Sequence, residues 1–352
     1  MTDGLRAKPV SGTADAAPVP SKGAAAPPSA DVRARRGTIT QRIRAWGASV
    51  LSWVVSRLPE GFALRLAALV GTIWYLVARE RRARARANLQ RVVTYLGAHD
   101  LGGDTVRRAA IPRRSLDGLV RSAFRHAVRY YLEVARTPNV TPAFIRERLL
   151  IETPDIVDAA FAELGPMIFV GLHFGAIELP GLYFVNRTGS TATVPMETIA
   201  DPELQRYFVR TRGKVGLRIV GLREARRELT AALRRGEPVG LVGDRDLTGG
   251  GLDVEFFGAP AKLPIGPALL AIESGAPLYV VAVRRAGPGR YRGRLRPIDV
   301  PSEGSRRERL TTLTDRLARA FEEMIADAPD QWWAVFFPIW EDVEAELSRV
   351  AA

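Results

Sequence analysis

Three histidines, no cysteine and a scatter of carboxylates bound the chemistry open to this chain of 352 residues. Without cysteine there is no disulfide framework and no thiolate nucleophile, and cysteine-based metal sites are excluded with them. His99, His126 and His173 lie too far apart in sequence for a His-rich zinc site, so no metal is expected. His173 stands in Gly171-Leu172-His173-Phe174-Gly175-Ala176-Ile177-Glu178, an imidazole between glycines with a carboxylate five positions on. An imidazole exchanges protons near neutral pH, and as a general base it contributes a rate factor of about 100 to 10,000. A carboxylate contact would orient the ring and stabilise its protonated form. No serine sits in a Gly-x-Ser-x-Gly setting, so direct attack by an acceptor hydroxyl is the simpler mechanism. His126, among Arg121, Arg125 and Arg129, reads as a surface or packing residue, and His99 lies in a polar loop. Alone, a His followed by four residues and a Glu is a pattern that chance supplies often.

The elements around His173 sharpen its setting. Met167 to Leu172 is a short apolar run that feeds a helical pattern in Ile177, Leu179, Leu182, Tyr183 and Val185, so a strand leads into a helix at His173. Further strand-like runs fall at Thr191 to Pro195, Arg218 to Val220, Pro238 to Val242 and Pro277 to Val283, with helical patterns at about 201 to 215, 223 to 235 and 264 to 275. Such alternation predicts an α/β core over residues 151 to 345, a mostly parallel central sheet flanked by helices. Ligands of such sheets bind beyond the carboxyl ends of the strands, where His173 falls. Gly249-Gly250-Gly251 permits close backbone approach or forms a loop, but no Lys-Ser/Thr follows it as in a phosphate-binding loop. Trp332, Trp333, Phe336, Phe337 and Trp340 crowd near Pro338, chiefly as core.

The segment before the core has a different character. Residues 1 to 36 are rich in Ala, Pro, Ser and Gly without apolar periodicity and are expected to be a disordered tail with no secretory signal. Residues 37 to 150 are expected to be helical and to dock on a membrane. Ile43, Trp46, Val50, Trp53 and Val54 recur near helical spacing, and a second helix is predicted from about Gly61 to Arg91. Its apolar stretch, Leu66 to Ala78, falls short of the roughly 20 residues of a membrane crossing, which predicts a helix lying on the bilayer. Trp46, Trp53 and Trp74 supply interfacial aromatics, and Arg79, Arg81, Arg82, Arg84 and Arg86 a cluster suited to anionic headgroups. A loop is predicted over 97 to 114, and a helix from about Leu116 to Arg136. The formal charge of +13 calls for an anionic partner, membrane lipid or nucleic acid, although an Arg-rich composition also follows from a GC-rich genome. Because the Arg clusters accompany Trp-bearing apolar helices, lipid is the expected partner and nucleic acid is not.

Taken together in order, these motifs resemble the bacterial lysophospholipid and lipid A acyltransferase family, and within it the phosphatidylinositol mannoside branch. The anchors are His173 with Glu178, Arg81-Arg82 before Asn88-Leu89, and Asp244-Arg245-Asp246 with Phe256-Phe257-Gly258 and Gly266-Pro267-Ala268 downstream, covering roughly residues 60 to 343. The resemblance implies that His173 activates a sugar hydroxyl and that an acidic residue holds and polarises it. Glu178 lies about 140° from position 173 round an ideal helix, so it reaches the ring only if His173 precedes the helix. Asp246, from the end of another strand, is the competing relay partner, with Asp244 close behind it. Glu197, Arg212, Asp244 and Arg245 are implied as substrate-binding residues. The implied reaction moves a long-chain acyl group from acyl-CoA, a co-substrate and not a cofactor, to a glycolipid acceptor at the cytoplasmic face of the inner membrane. The ending Gln331-Trp332-Trp333 resembles the mannoside branch. Phe174 after the histidine resembles the lipid A branch, whose donor is often acyl carrier protein.

Overall fold

A computed structural model describes residues 37–103, 106, 113–247 and 249–351. The tail expected over 1 to 36 and part of the loop expected over 97 to 114, residues 104, 105 and 107–112, lie outside the described residues. The described residues open with helices α1 (Ile39–Arg57), α2 (Glu60–Val77), α3 (Arg79–Ala98) and α4 (Arg113–Arg136). The single helix expected over 61 to 91 is two, because the backbone leaves the helical region at Ala78 (φ −88°, ψ 73°) and the chain restarts as α3. Helix α1 opens on a capping box in which Thr38 and Gln41 satisfy each other's backbone donors.

The core follows as α5 (Pro142–Arg148), β1 (Leu149–Ile151), α6 (Pro154–Ala162), β2 (Ile168–Gly171), α7 (Leu179–Thr188), β3 (Ala192–Met196), α8 (Pro202–Lys214), β4 (Leu217–Gly221), α9 (Ala225–Arg234) and β5 (Val239–Val242). A hairpin, β6 (Leu252–Phe256) and β7 (Ala259–Leu263), leads to α10 (Gly266–Ser274), β8 (Leu278–Gly287), β9 (Arg290–Ile298), α11 (Arg306–Ala326) and α12 (Glu341–Ala351). Seven strands form one sheet in the order β1-β9-β8-β2-β5-β3-β4. β8, β2, β5, β3 and β4 run parallel to their neighbours, while β9 is antiparallel to β8 and carries β1 parallel to itself. The expected mostly parallel sheet is present. Each of the five strand runs read from the sequence falls in it, while β1, β9 and the separate β6–β7 hairpin went unread.

Alternation along the strands builds two different faces. Ile168, Val170, Val239, Leu278 and Val280 pack with α3, α4, α10 and α11 into the main core. Phe169, Val194, Ile219, Val281 and Leu295 face the other way, toward α6, α7 and α8. Helix α3 belongs to the main core: Leu89, Val92, Val93 and Leu96 are fully buried, and Asn88 donates to the carbonyls of Val335 (2.9 Å) and Phe337 (3.1 Å).

Helices fill the segment expected to be helical, and α1 and α2 expose apolar sides. Helix α1 turns its apolar side outward, with Trp46 68% and Trp53 57% exposed, while Ala45 and Ser52 face inward and Arg44 pairs with Asp201 (3.3 Å). Helix α2 packs Ala63, Ala67 and Gly71 on α4 so closely that a Cβ at Gly71 would lie 2.6 Å from the Arg125 Cα. Phe62, Leu66, Leu69, Ile73 and Leu76 remain exposed. At 18 residues α2 is longer than its apolar run, and by length and composition it could cross a membrane. Three interfacial assignments need correction. Trp74 packs inward on Phe124 (5.0 Å) and Phe336 (5.5 Å), because the closeness of α2 to α4 points it at the core. Arg84 forms a two-pronged pair with Glu344 (2.7 and 2.8 Å), and Arg86 pairs with Asp117, so both charges are met within the fold. Arg82 donates to the Tyr75 carbonyl (2.9 Å), capping α2. Arg79 and Arg81 are exposed.

Candidate active site

Strand register selects the acid that meets His173. β2 and β5 are adjacent and pair Gly171 with Val242, and the ladder continues as the Gly243 N–H donates to the Gly171 carbonyl (3.0 Å). Two residues further, His173 and Asp244 overhang the sheet's carboxyl edge side by side. The ring Nδ1 lies 2.7 Å from Asp244 Oδ1, and the backbone N–H of His173 donates to Oδ2 (3.0 Å). Oδ2 also accepts from the Trp332 indole Nε1–H (2.7 Å). Asp244 is 1% exposed. Burial pushes its carboxyl up, but the His173 charge and the three donors outweigh it and hold the group below its ordinary value. An ionised carboxylate only accepts, so Nδ1 carries a proton, and in the neutral imidazole the lone pair falls on Nε2. Trp333 sets its face edge-on to the ring at 4.6 Å.

Neither acid favoured by spacing meets the ring. Asp246 lies two residues past the matched position, where it accepts from the N–H groups of Gly249 (3.0 Å) and Gly251 (2.8 Å) and shapes the glycine loop. Helix α7 begins at Leu179, so His173 does precede the helix, yet Glu178 turns to Arg212, whose Nε donates to it at 3.2 Å and whose Nη2 donates to its second oxygen. The turn between them requires glycine. Gly175 has φ +55°, and a Cβ there would lie 2.0 Å from the Val283 carbonyl oxygen.

His173 opens on a cavity of about 680 Å³ that runs beneath α6 and α7 along the second sheet face, lined by Phe169, Val194, Leu217, Ile219, Val281 and Leu295 among others. The volume falls within the ordinary range of small-molecule sites, and most of the wall is apolar. Its polar side chains gather toward His173. They include Glu178 and the three substrate-binding candidates other than buried Asp244, namely Glu197, Arg212 and Arg245.

Residues 33–340 match the family described as bacterial lipid A biosynthesis acyltransferase. The chain belongs to that family. A protein from Mycobacterium tuberculosis (strain ATCC 25618 / H37Rv) named phosphatidylinositol mannoside acyltransferase is 31% identical over 304 residues, covering 84% of this chain and 89% of the relative. One of the same name from Mycolicibacterium smegmatis (strain ATCC 700084 / mc(2)155) is 32% identical over 221 residues, covering 61% and 70%.

In this acyltransferase Arg212 is largely buried. Burial works against its charge, but Glu178 more than compensates and raises its pKa. Arg245 lays its guanidinium over the Phe337 ring at 3.7 Å, and burial lowers its pKa despite the nearby charges of Asp244 and Glu197. Glu197 is exposed at the cavity wall, and it is Glu178 that pairs with Arg212. Among the described residues no group of three or more His, Asp or Glu side chains is arranged to hold a metal ion. Trp332 is the site residue the sequence reading passed over. Its indole N–H is a ligand of the acid, yet in sequence it is one more aromatic in a crowded core segment.

Proposed function

We propose that the protein transfers a long-chain fatty acyl group from acyl-CoA to a sugar hydroxyl of a phosphatidylinositol mannoside. His173 acts as general base, with no covalent acyl-enzyme. The observation that carries the reading is the His173–Asp244 pair at the end of a long apolar cavity. The cavity holds the acyl chain, each buried methylene contributing about 0.8 kcal/mol, and brings the thioester carbon to His173. Nε2 takes the proton of the acceptor hydroxyl as its oxygen bonds to the thioester carbon. Asp244 stabilises the imidazolium. When the tetrahedral intermediate collapses, the carbon–sulfur bond breaks and His173 returns the proton to the leaving thiolate, giving an ester and free CoA. Arg245, Arg212 and Glu197 would contact the polar parts of the two substrates. The outward apolar sides of α1 and α2, with Trp46, Trp53, Arg79 and Arg81, would hold the enzyme peripherally on the cytoplasmic face of the inner membrane, against anionic lipid.

The relatives' printed name supports the mannoside acceptor, and the family description keeps a lipid A-type acceptor with acyl carrier protein as donor in the test. Purified protein is given long-chain acyl-CoA or acyl carrier protein thioester, each with mannosylated phosphatidylinositol or a lipid A precursor, and products are read by mass spectrometry. Acylated mannoside from acyl-CoA is expected. His173→Ala should retain the fold and lose at least about a hundredfold in turnover. Near-normal turnover by that variant would remove the basis of the mechanism.

A further inference from the structure

We infer that Arg285 and Glu133 are positioning residues, a buried ion pair that sets the turn carrying His173 from behind. The inference rests on the acyl-transfer reading. Arg285, on β8, is 5% exposed, and its guanidinium makes a two-pronged pair with Glu133 of α4: Nε to Oε1 at 2.9 Å, Nη2 to Oε2 at 2.7 Å. Nη2 also donates to the Gly175 carbonyl at 2.8 Å. The Gly175 N–H is held from the opposite side, donating to the Gln331 carbonyl at 3.0 Å. Gln331 in turn exchanges two hydrogen bonds with the Arg285 backbone, 2.8 Å to its N–H and 2.9 Å to its carbonyl. Both backbone groups of Gly175 are therefore fixed by a frame that Arg285 closes. The Tyr291 hydroxyl donates to Glu133 Oε1 (3.0 Å) and further fixes that carboxylate.

A buried ion pair replaced by apolar side chains of similar volume is often neutral or stabilising, although Glu133 Oε1 also accepts from Arg129 Nε (3.2 Å), a charge that outlasts the replacement. What apolar side chains cannot do is grip a carbonyl two residues from the base. Arginine alone supplies enough donors, in a planar fork, to meet both Glu133 oxygens and the Gly175 carbonyl together, whereas lysine is a single point charge. Displacement of a reacting group by about 1 Å can cost on the order of a hundredfold in rate.

Two variants separate this role from a structural one. Arg285→Lys keeps the charge and loses the fork. The double replacement Glu133→Leu with Arg285→Met removes the pair and refills its volume. Melting temperature, kcat and KM for each substrate, and the pH dependence of kcat are measured on the purified full-length proteins. The double variant is expected to stay folded, with a lower melting temperature from the stranded Arg129, kcat per folded molecule lowered more than roughly tenfold, both KM values within about twofold, and the acidic limb of the pH profile moved. Arg285→Lys is expected to lose kcat in the same manner. Wild-type kcat and pH profile per folded molecule in the double variant would overturn the inference, as would a loss confined to KM. Acylation by the wild-type enzyme in the same assay tests the reaction itself, so failure of that reading shows separately.

Discussion

Asp244 ionises where water hardly reaches, and it is held in that state by three donors, one of them the His173 ring. Its carboxyl sits below its ordinary value, so the stability it contributes as an ionised acceptor is fully present above the usual carboxylate range and is lost as pH falls through the lowered folded-state value. Asp244→Asn should therefore approach the His173→Ala defect in kcat across neutral pH. The double variant should be hardly worse than either single one, because two groups acting as a unit are non-additive. Asp246→Asn should cost far less, its carboxylate being occupied with the N–H groups of Gly249 and Gly251. Steady-state kinetics on the four proteins decides the ranking, and a larger loss at Asp246 than at Asp244 would reverse the assignment. His173 was legible in the sequence because glycines flank it at the end of an apolar run. The choice between Asp244 and Asp246 was not, since both follow the same strand and only the pairing of Gly171 with Val242 distinguishes them.

Helix α4 passes behind the site and buries a second imidazole there, outside the cavity lining. His126 is pushed down to about 3 from 6.5, first by burial and then by the charges of Arg285 and Arg129. The groups facing it are Arg285 (3.4 Å from Nδ1), Asp330 (3.6 Å from Nε2) and, on α4 itself, Arg129 and the Ser122 that donates to Asp330. A guanidinium can only donate, so Nδ1 must be unprotonated. The fold thus favours neutral His126, and its contribution to stability is complete above pH 6.5 and declines as pH falls from there toward 3. Replacing it as His126→Gln should flatten the fall in denaturant-measured stability below pH 6.5, and an unchanged slope would refute the assignment. The sequence reading placed this residue as surface or packing, and packing is what the structure gives it. The parallel strands were readable for a simple reason: buried on both faces, they are nearly continuous apolar runs. Strand β9 went unread although Arg290, Arg292, Arg294 and Arg296 alternate with Tyr291, Gly293 and Leu295, because it lacks the continuous apolar run by which the other strands were recognised. For α1 and α2 the helical period was legible, but periodicity does not say which side of a helix meets the protein. Trp74 turned inward and Trp46 outward for reasons that lie in the packing partners.

At the scale of the whole molecule, α1 and α2 leave a broad apolar surface uncovered on one flank, while α3 closes the core beneath them. Removal of residues 37–92 would be a poor test of docking, since it deletes Leu89 and Val92 from the core and leaves Trp74's partners Phe124 and Phe336 uncovered. Substitution on the exposed side spares these contacts. Trp46→Glu, Trp53→Glu, Leu69→Glu and Ile73→Glu replace apolar groups that no described element covers, so the fold should tolerate them. Amphipathic attachment depends on buried apolar area together with attraction to anionic lipid. The fourfold variant should stay in the supernatant when sedimented with vesicles of phosphatidylglycerol and phosphatidylcholine, whereas the wild-type protein pellets. Arg79→Glu with Arg81→Glu should remove chiefly the salt-sensitive part of binding, at about 1 kcal/mol per charge near the surface. The exchanges at Arg84 and Arg86 should alter docking little, because Glu344 and Asp117 already meet those charges. Retention of the fourfold variant on vesicles would place the docking surface elsewhere. Salt-sensitive binding of the wild-type protein to duplex DNA, with no affinity for vesicles, would turn the +13 charge back toward nucleic acid.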